Sequence, residues 1–178
     1  METNTNGEIS AHHSDPTQLD KRVFLVGILT FFSILATAVL HSNDREFFNT
    51  LFTQMGIPLS EELVIQYGSI YDSVYYLSFI AGLIIGPISD HKGKRKIFII
   101  GGSILFVISS LVMVFSPNFG FLIIFRLIQG IGHIAVWQTL MVLVYDLSTP
   151  KNVAKSVAIY TIFMGSAMGF GTIGGGLL

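Results

Sequence analysis

The sequence contains no cysteine, and only 12% of its 178 residues are charged. The absence of cysteine excludes disulfide bonds and thiol chemistry. The charged fraction is about half of the roughly 25% that is usual in soluble domains, so the composition argues against a soluble globular protein. The net charge of −1 argues against the basic surface that nucleic-acid binding requires, and we predict no nucleic-acid partner.

Two kinds of functional site are also missing. No group of His, Asp and Glu has the spacing of metal ligands, and no Gly-Lys-Ser or Gly-Lys-Thr loop indicates nucleotide hydrolysis. We therefore predict neither a metal site nor a cofactor. The apolar segments hold no nucleophile with its base and no paired carboxylates, so we do not predict an enzyme.

Apolar residues dominate what is present. They make up 51% of the chain, and five apolar runs approach the roughly 20 residues that a helix needs to cross a bilayer. We predict an all-α, multi-pass bundle over residues 21–178, preceded by a disordered tail at residues 1–20. The predicted spans, numbered 1 to 5, cover residues 23–40, 68–89, 97–115, 121–145 and 156–178.

The longest link, residues 41–66, separates spans 1 and 2. Ser60 followed by two glutamates is typical of a helix N-terminus, so the helix of span 2 is predicted to begin there and run to Ser89. Apolar side chains at helical spacing predict a short helix along the membrane interface: Phe47, Phe48, Leu51 and Phe52. Tyrosines near the start of span 2 resemble an aromatic belt: Tyr67, Tyr71, Tyr75 and Tyr76.

Basic residues are distributed unequally between the two sets of links. One set contains only Arg45, and the other contains eight cations: Lys21, Arg22, Lys92, Lys94, Arg95, Lys96, Lys151 and Lys155. Because positive charge is retained in the cytoplasm, we predict a cytoplasmic N-terminus in the cell membrane.

Span 4 carries a polar stripe on an otherwise apolar helix. Its members share one helical face: Arg126, Gln129, Gly130, His133 and Trp137. An arginine within a span costs about 2.5–3.5 kcal/mol on insertion scales, so it needs a partner or a wet cavity. The alternative is that Arg126 reaches the nearby outer interface. His133 is either a packing histidine or a proton-coupling group, since histidine titrates in the physiological range.

Asp72 is a possible partner for Arg126. The two residues precede Asp90 and Asp146 by similar distances along helices of equal rise, and both helices run in the same direction. We predict an ion pair between them; the alternative is that Asp72 contacts headgroup water. Small residues are predicted to let helices pack closely: Ser78, Gly82, Gly86, Gly165, Gly169, Gly171 and Gly175.

Three stretches of the sequence resemble the N-terminal part of the major facilitator superfamily of secondary transporters. The link between spans 2 and 3 matches the family pattern with Gly86, Ile88, Ser89, Asp90, Gly93, Lys94 and Arg95. The second stretch is residues 126–132, with Arg126, Gln129, Gly130 and Gly132. The third is the acid-to-proline link from Asp146 to Pro150.

This resemblance implies a fold and a mechanism. The family has two halves of six helices with the substrate site between them, and transport proceeds by alternating access. The resemblance implies that Asp90, Gly93, Lys94 and Arg95 help to latch one conformation, and that Arg126 takes part in proton transfer in proton-coupled members. The expected partners are the lipid bilayer, a small-molecule substrate such as a drug or metabolite, and protons.

Five spans are fewer than one six-helix half. We therefore expect the chain to be an incomplete N-terminal part of a transporter, completed by a remaining half or by partner helices. The alternative is a non-transporting membrane protein that docks on a partner transporter.

Overall fold

We describe residues 19–57, 60–92 and 94–177 of a computed structural model, the side chains of residues 90–92 excepted. All regular structure in this part of the chain is helical, which confirms the predicted all-α fold. The helices are α1 (Lys21–Ser42), α2 (Asp44–Gln54), α3 (Glu61–Leu77), α4 (Ile80–Lys92), α5 (Arg95–Val114), α6 (Phe119–Asp146) and α7 (Val153–Gly175).

Five segments are long and apolar enough to cross a membrane. They are α1, α3 with α4 as far as Ser89, α5, α6 and α7. Side-chain caps begin three of the helices: the backbone N–H groups of Arg22, Leu63 and Phe121 donate to the side chains of Asp20, Ser60 and Asn118. The Ser60 cap lies where the sequence predicts it, and it satisfies an amide that has no partner within the helix.

The second membrane segment is not the continuous helix that the sequence predicts. It is interrupted at Ser78 and Phe79, between α3 and α4. The Ser78 hydroxyl donates to the Tyr75 carbonyl at 2.5 Å. The Ser78 amide is shared between the Val74 and Tyr75 carbonyls, both at 3.2 Å, and the Phe79 amide bonds to the Tyr76 carbonyl at 3.0 Å. These tighter bonds replace part of the α-helical ladder and break the segment.

Helix α6 lies at the centre of the bundle. Half of the residues in its most apolar 18-residue stretch are buried, whereas the corresponding share is 17–28% in the other four segments. The second segment runs parallel to α6, with Ser78 beside Gly130 and Gly82 beside Ile134, while α5 runs antiparallel to it. Helices α1 and α7 run parallel to each other. The bundle thus has an α2 end, where α6 begins, and an Asp146 end, where α6 finishes.

Helix α2 folds back onto the bundle. Gly56 stops it in a left-handed conformation, with φ of 67°. The Ile57 amide then bonds to the Phe52 carbonyl at 2.9 Å and the Gly56 amide to the Thr53 carbonyl at 3.2 Å, as in a Schellman motif. Phe48 and Phe52 are buried beside Tyr71 and Leu122. The predicted short helix is therefore present, and these two phenylalanines pack against protein.

The predicted small residues do not all pack against a helix. Gly82 and Gly86 face Gln138 of α6, and Gly171 and Gly175 face α1, whereas Gly165 and Gly169 have no described atom within 4 Å of an added Cβ. Packing at the last pair stays a prediction, since no described helix lies against it. The reason is helical phase, since a step of six residues turns the chain about 240° and places the two pairs on different faces.

The α1–α7 contact gives a matched test of this difference. A Cβ added at Gly171 would lie 2.5 Å from the Ala38 Cβ and 3.0 Å from the Leu35 carbonyl oxygen, while Gly169 is open. We expect Gly171→Ala to lower the free energy of unfolding by about 1–3 kcal/mol through overpacking. Gly169→Ala should leave it unchanged or slightly raised. SDS-induced unfolding of both variants tests this, and equal effects would contradict the assigned packing.

Candidate functional site

The site is built around the guanidinium of Arg126, whose residue is only 1% exposed. The guanidinium is buried inside the bundle, so Arg126 does not extend to the interface. Its Nη1 donates to the Gln129 Oε1 at 2.7 Å. Its Nη2 lies 3.6 Å from an Asp72 carboxylate oxygen and 3.5 Å from one of Asp44. The ion pair with Asp72 that helix depth predicts is therefore present, and Asp44 provides a second carboxylate.

Two tyrosine rings enclose the same guanidinium. Its carbon lies 3.8 Å from the ring centroid of Tyr71 and 4.5 Å from that of Tyr75. A cation over an aromatic face is stabilised by the ring quadrupole, more strongly where water is excluded. Both tyrosines are buried, which corrects their assignment to an aromatic belt. Tyr76 is exposed, so its position remains compatible with an aromatic belt.

His41, in the last turn of α1, completes what we call the Arg126 cluster: Arg126, His41, Asp44, Asp72, Tyr71 and Tyr75. The His41 Nδ1 lies 3.1 Å from Asp44 Oδ2 and 3.2 Å from Arg126 Nη2. Sequence reasoning missed His41 and Asp44 because it placed them in the link between spans 1 and 2. Their spacing of three residues next to a span end was the available signal, since a helical turn brings such residues together.

The ligand atoms of His41, Asp44 and Asp72 lie within 4.8 Å of one another, as in a metal-binding group. The guanidinium of Arg126 already supplies a cation beside all three. The arrangement is thus a protein ion-pair network, and its geometry does not call for a metal ion.

The rest of the polar stripe divides between packing and a cavity. The Gln129 Nε2 donates to the Ser110 Oγ of α5 at 2.7 Å, and Gly130 allows Ser78 to approach α6. His133 shares a 3.0 Å hydrogen bond between its Nδ1 and the Thr37 Oγ1. His133 and Trp137 also line a cavity, so these two members of the stripe face open space.

This central cavity has a volume of about 460 Å³ and lies between α1, the second segment, α6 and α7. Aromatic and methionine side chains form much of its wall: Tyr75, Tyr76, Phe79, Trp137, Met164 and Met168. Hydroxyl and imidazole groups supply its polar contacts: Thr37, His41, Ser42, His133 and Thr172. Among the described residues its wall includes no carboxylate, lysine or arginine. Arg126 lies behind it, stacked on Tyr75.

A second charged contact lies at the Asp146 end. The Arg95 Nε is 2.5 Å from the Asp146 Oδ2, and the Arg95 side chain is largely buried. This pairing places the Arg95 side chain against α6. It ties the start of α5 to the end of α6. Gly93 and the side chain of Asp90, both predicted for the same link, lie outside the described residues.

Comparison with known proteins gives a consistent family match. The model of the Major Facilitator Superfamily matches residues 23–178. An uncharacterized transporter of this type from Bacillus subtilis is 27% identical over 82% of this chain and 29% of its own length.

Two relatives have more specific names. Multidrug resistance protein 3 of Bacillus subtilis is 32% identical over 58% of this chain and 20% of its own length. A D-xylose transporter of Levilactobacillus brevis is 38% identical over 38% of this chain and 14% of its own length. The chain thus spans less than a third of each of these relatives. No solved structure matches it.

The buried guanidinium predicts a large effect of removing its charge. Arg126→Gln should lower the free energy of unfolding by about 3–5 kcal/mol, because two carboxylates lose their buried counter-ion. Arg126→Lys should cost less but should not restore parental stability, since an ammonium lacks the planar fork and stacks less well between two rings. SDS-induced unfolding measures the stability of both variants. An Arg126→Gln variant as stable as the parent protein would contradict the network.

The two carboxylates should contribute unequally. The Asp44 side chain is 18% exposed and that of Asp72 is 49% exposed, and buried charges are screened less by water and salt. We expect Asp44→Asn to cost about 1–3 kcal/mol and Asp72→Asn about 0.2–1 kcal/mol. The free energy of unfolding of both variants, measured at low and high salt, tests this order. A larger cost for Asp72→Asn than for Asp44→Asn would contradict it.

Proposed function

Because the chain belongs to the major facilitator superfamily, we propose that it is part of a secondary transporter that moves a small solute across a membrane by alternating access. The proposal concerns the protein expressed from its complete coding sequence, since a substrate site in this family lies between two six-helix halves. The observation that carries it is the central cavity, which is bordered by helices of four membrane segments.

The cavity wall favours a lipophilic, aromatic solute. Its volume of about 460 Å³ is within the usual range for small-molecule sites, which are mostly apolar with a few polar groups. Met164 and Met168 are flexible and polarizable, which suits ligands of differing shape. A sugar would need a hydrogen-bonding partner for each hydroxyl. Of the two relatives with specific names, the multidrug resistance protein agrees with this class of solute, and it matches over a larger share of this chain than the D-xylose transporter does.

The Asp146 end is assigned to the cytoplasm. Most of the cations lie in links at this end, which supports a cytoplasmic N-terminus in the cell membrane. The predicted tail falls almost entirely outside the described residues, which begin at residue 19. The Arg95–Asp146 ion pair supports the role that the family resemblance gives to Gly86, Asp90, Gly93, Lys94 and Arg95. In this role the pair holds the α4–α5 link against α6 in one conformation and releases it in another.

A role in proton coupling is assigned to the polar stripe and its partner Asp72. Arg126 and Asp72 form an ion pair whose strength changes when a proton binds nearby. Gln129 fixes the guanidinium, Gly130 lets α3 approach closely, and His133 lies on the cavity wall. Charge and cavity wall thus meet on one helix, α6, and this supports the proposed coupling.

Occupancy of the cavity can be followed at Trp137, the single tryptophan of these 178 residues, which lines it; quenching that a Trp137→Phe variant abolishes is assigned to this residue. We expect the lipophilic dye rhodamine 6G to quench Trp137 fluorescence saturably, and D-xylose to have no effect. Thr172→Phe, which narrows the cavity from an exposed position, should weaken quenching at least tenfold. The adjacent exposed change Ile173→Phe is the matched control.

Transport is then tested in proteoliposomes. Protein from the complete coding sequence should move rhodamine 6G across the membrane, and Thr172→Phe should slow this movement while Ile173→Phe should not. Equal movement in protein-free vesicles would contradict transport. Saturable xylose uptake without dye movement would contradict the assigned substrate class.

A further inference from the structure

The three aliphatic hydroxyls on the described wall of the central cavity all donate their protons to backbone carbonyls of their own helices. The bonds run from Thr37 to Ser33 at 3.1 Å, from Ser42 to Val39 at 2.8 Å and from Thr172 to Met168 at 2.9 Å. A hydroxyl has one proton and two lone pairs. Because the proton is used within the helix, each oxygen is left to accept a hydrogen bond from a solute.

The Thr37 hydroxyl also determines the tautomer of His133. Its oxygen lies 3.0 Å from the His133 Nδ1, and its proton is donated to the Ser33 carbonyl, so Nδ1 is the protonated nitrogen and donates to Thr37. A neutral imidazole has one N–H and one lone pair, which leaves the lone pair on Nε2. No described residue bonds to Nε2. The ring packs against Tyr75 and Phe106, both at centroid distances of 5.9 Å, which restrains its orientation.

The hydrogen-bond donors of the aromatic wall are directed to other groups. The Trp137 Nε1 is enclosed and lies toward Tyr160, and the Tyr75 hydroxyl is enclosed and lies toward Thr37. Tyr76 is 60% exposed, so its hydroxyl does not depend on the cavity for a partner. The groups that remain for a solute are therefore acceptors.

His41, the second imidazole on the wall, is already engaged. Its Nδ1 lies 3.1 Å from Asp44 Oδ2, and its Nε2 lies 3.5 Å from Arg126 Nη2. The described wall includes no carboxylate, so a charged His133 would lack a counter-ion there, and burial of an unpaired charge is costly. His133 is therefore neutral in this arrangement and offers its Nε2 lone pair to the cavity.

We propose that the central cavity selects solutes by their hydrogen-bond donors, and that the Nε2 of His133 is the acceptor that recognises them. Thr37 is the positioning residue, because it holds the tautomer. The solute class is a lipophilic aromatic compound that carries an N–H or O–H group. A compound whose polar atoms only accept hydrogen bonds is disfavoured, since an acceptor placed against an acceptor leaves both without a partner. The inference rests on the proposed function, which supplies the solute.

A matched pair of dyes isolates the donor in the unmodified protein. Rhodamine 6G carries two secondary amines with N–H groups, whereas tetramethylrhodamine ethyl ester has the same xanthylium core and charge but only tertiary amines. In protein from the complete coding sequence, we expect rhodamine 6G to quench Trp137 with an affinity about tenfold higher. His133→Phe keeps a ring but removes both nitrogens, and it should abolish this preference by weakening rhodamine 6G binding alone.

The positioning role of Thr37 has a separate readout. In protein labelled with ¹⁵N at histidine and held in lipid nanodiscs, the NMR signals that His133→Phe removes should report a protonated Nδ1 and an unprotonated Nε2. Thr37→Val keeps the side-chain shape but removes the acceptor, so it should release this tautomer and reduce the dye preference. Thr161→Val is the matched control, because the Thr161 hydroxyl bonds to the Val157 carbonyl at 2.9 Å on an exposed part of α7.

Failure of this inference is distinguishable from failure of the proposed function. Equal affinity for the two dyes, a preference that survives His133→Phe, or a ring protonated at Nε2 would overturn the inference and leave the proposed function in place. Donor-dependent binding without dye movement in proteoliposomes would support the inference and reject transport. Absence of saturable binding of either dye would reject both.

Discussion

The burial of one positive charge controls the arrangement at the α2 end of the molecule. An unpaired guanidinium inside a membrane bundle is costly, and Arg126 is almost inaccessible to solvent. Its compensation comes from α1, α2, α3 and α6 itself, through an imidazole, two carboxylates, two aromatic rings and an amide. Asp44 is the first residue of α2, and the buried face around Phe52 packs the same helix against the bundle.

Two features of the sequence predicted parts of the structure: the length of the hydrophobic runs and the depth of residues along their helices. Run length predicts five spans because a bilayer sets the length of any helix that crosses it. Depth predicts the pairing of Asp72 with Arg126 because two parallel helices of equal rise bring residues at the same level together. Neither depends on knowing how the helices are arranged around one another.

Other features depend on that arrangement and could not be predicted in the same way. The period of α2 is visible in the sequence, but the direction in which it folds is set by a single turn and by partners distant in sequence. His41 and Asp44 therefore remained unassigned. The break at Ser78 follows from a hydroxyl that bonds to its own backbone and from close contact with Gly130, and a hydropathy pattern detects neither. Gly165 and Gly169 share spacing with packed glycines, yet their helical phase places them on another face.

The interruption between α3 and α4 has a mechanical consequence. A continuous helix behaves as a rod, so that a tilt at one end is felt at the other. The Phe79 amide bonds to the Tyr76 carbonyl, three residues earlier, so the α-helical ladder of the second segment is interrupted there. The upper half is fixed by the Arg126 cluster, while the lower half leads to the link held by Arg95 and Asp146. The second membrane segment therefore consists of two helices, one that contributes to the Arg126 cluster and one that leads to the ion pair of Arg95 with Asp146.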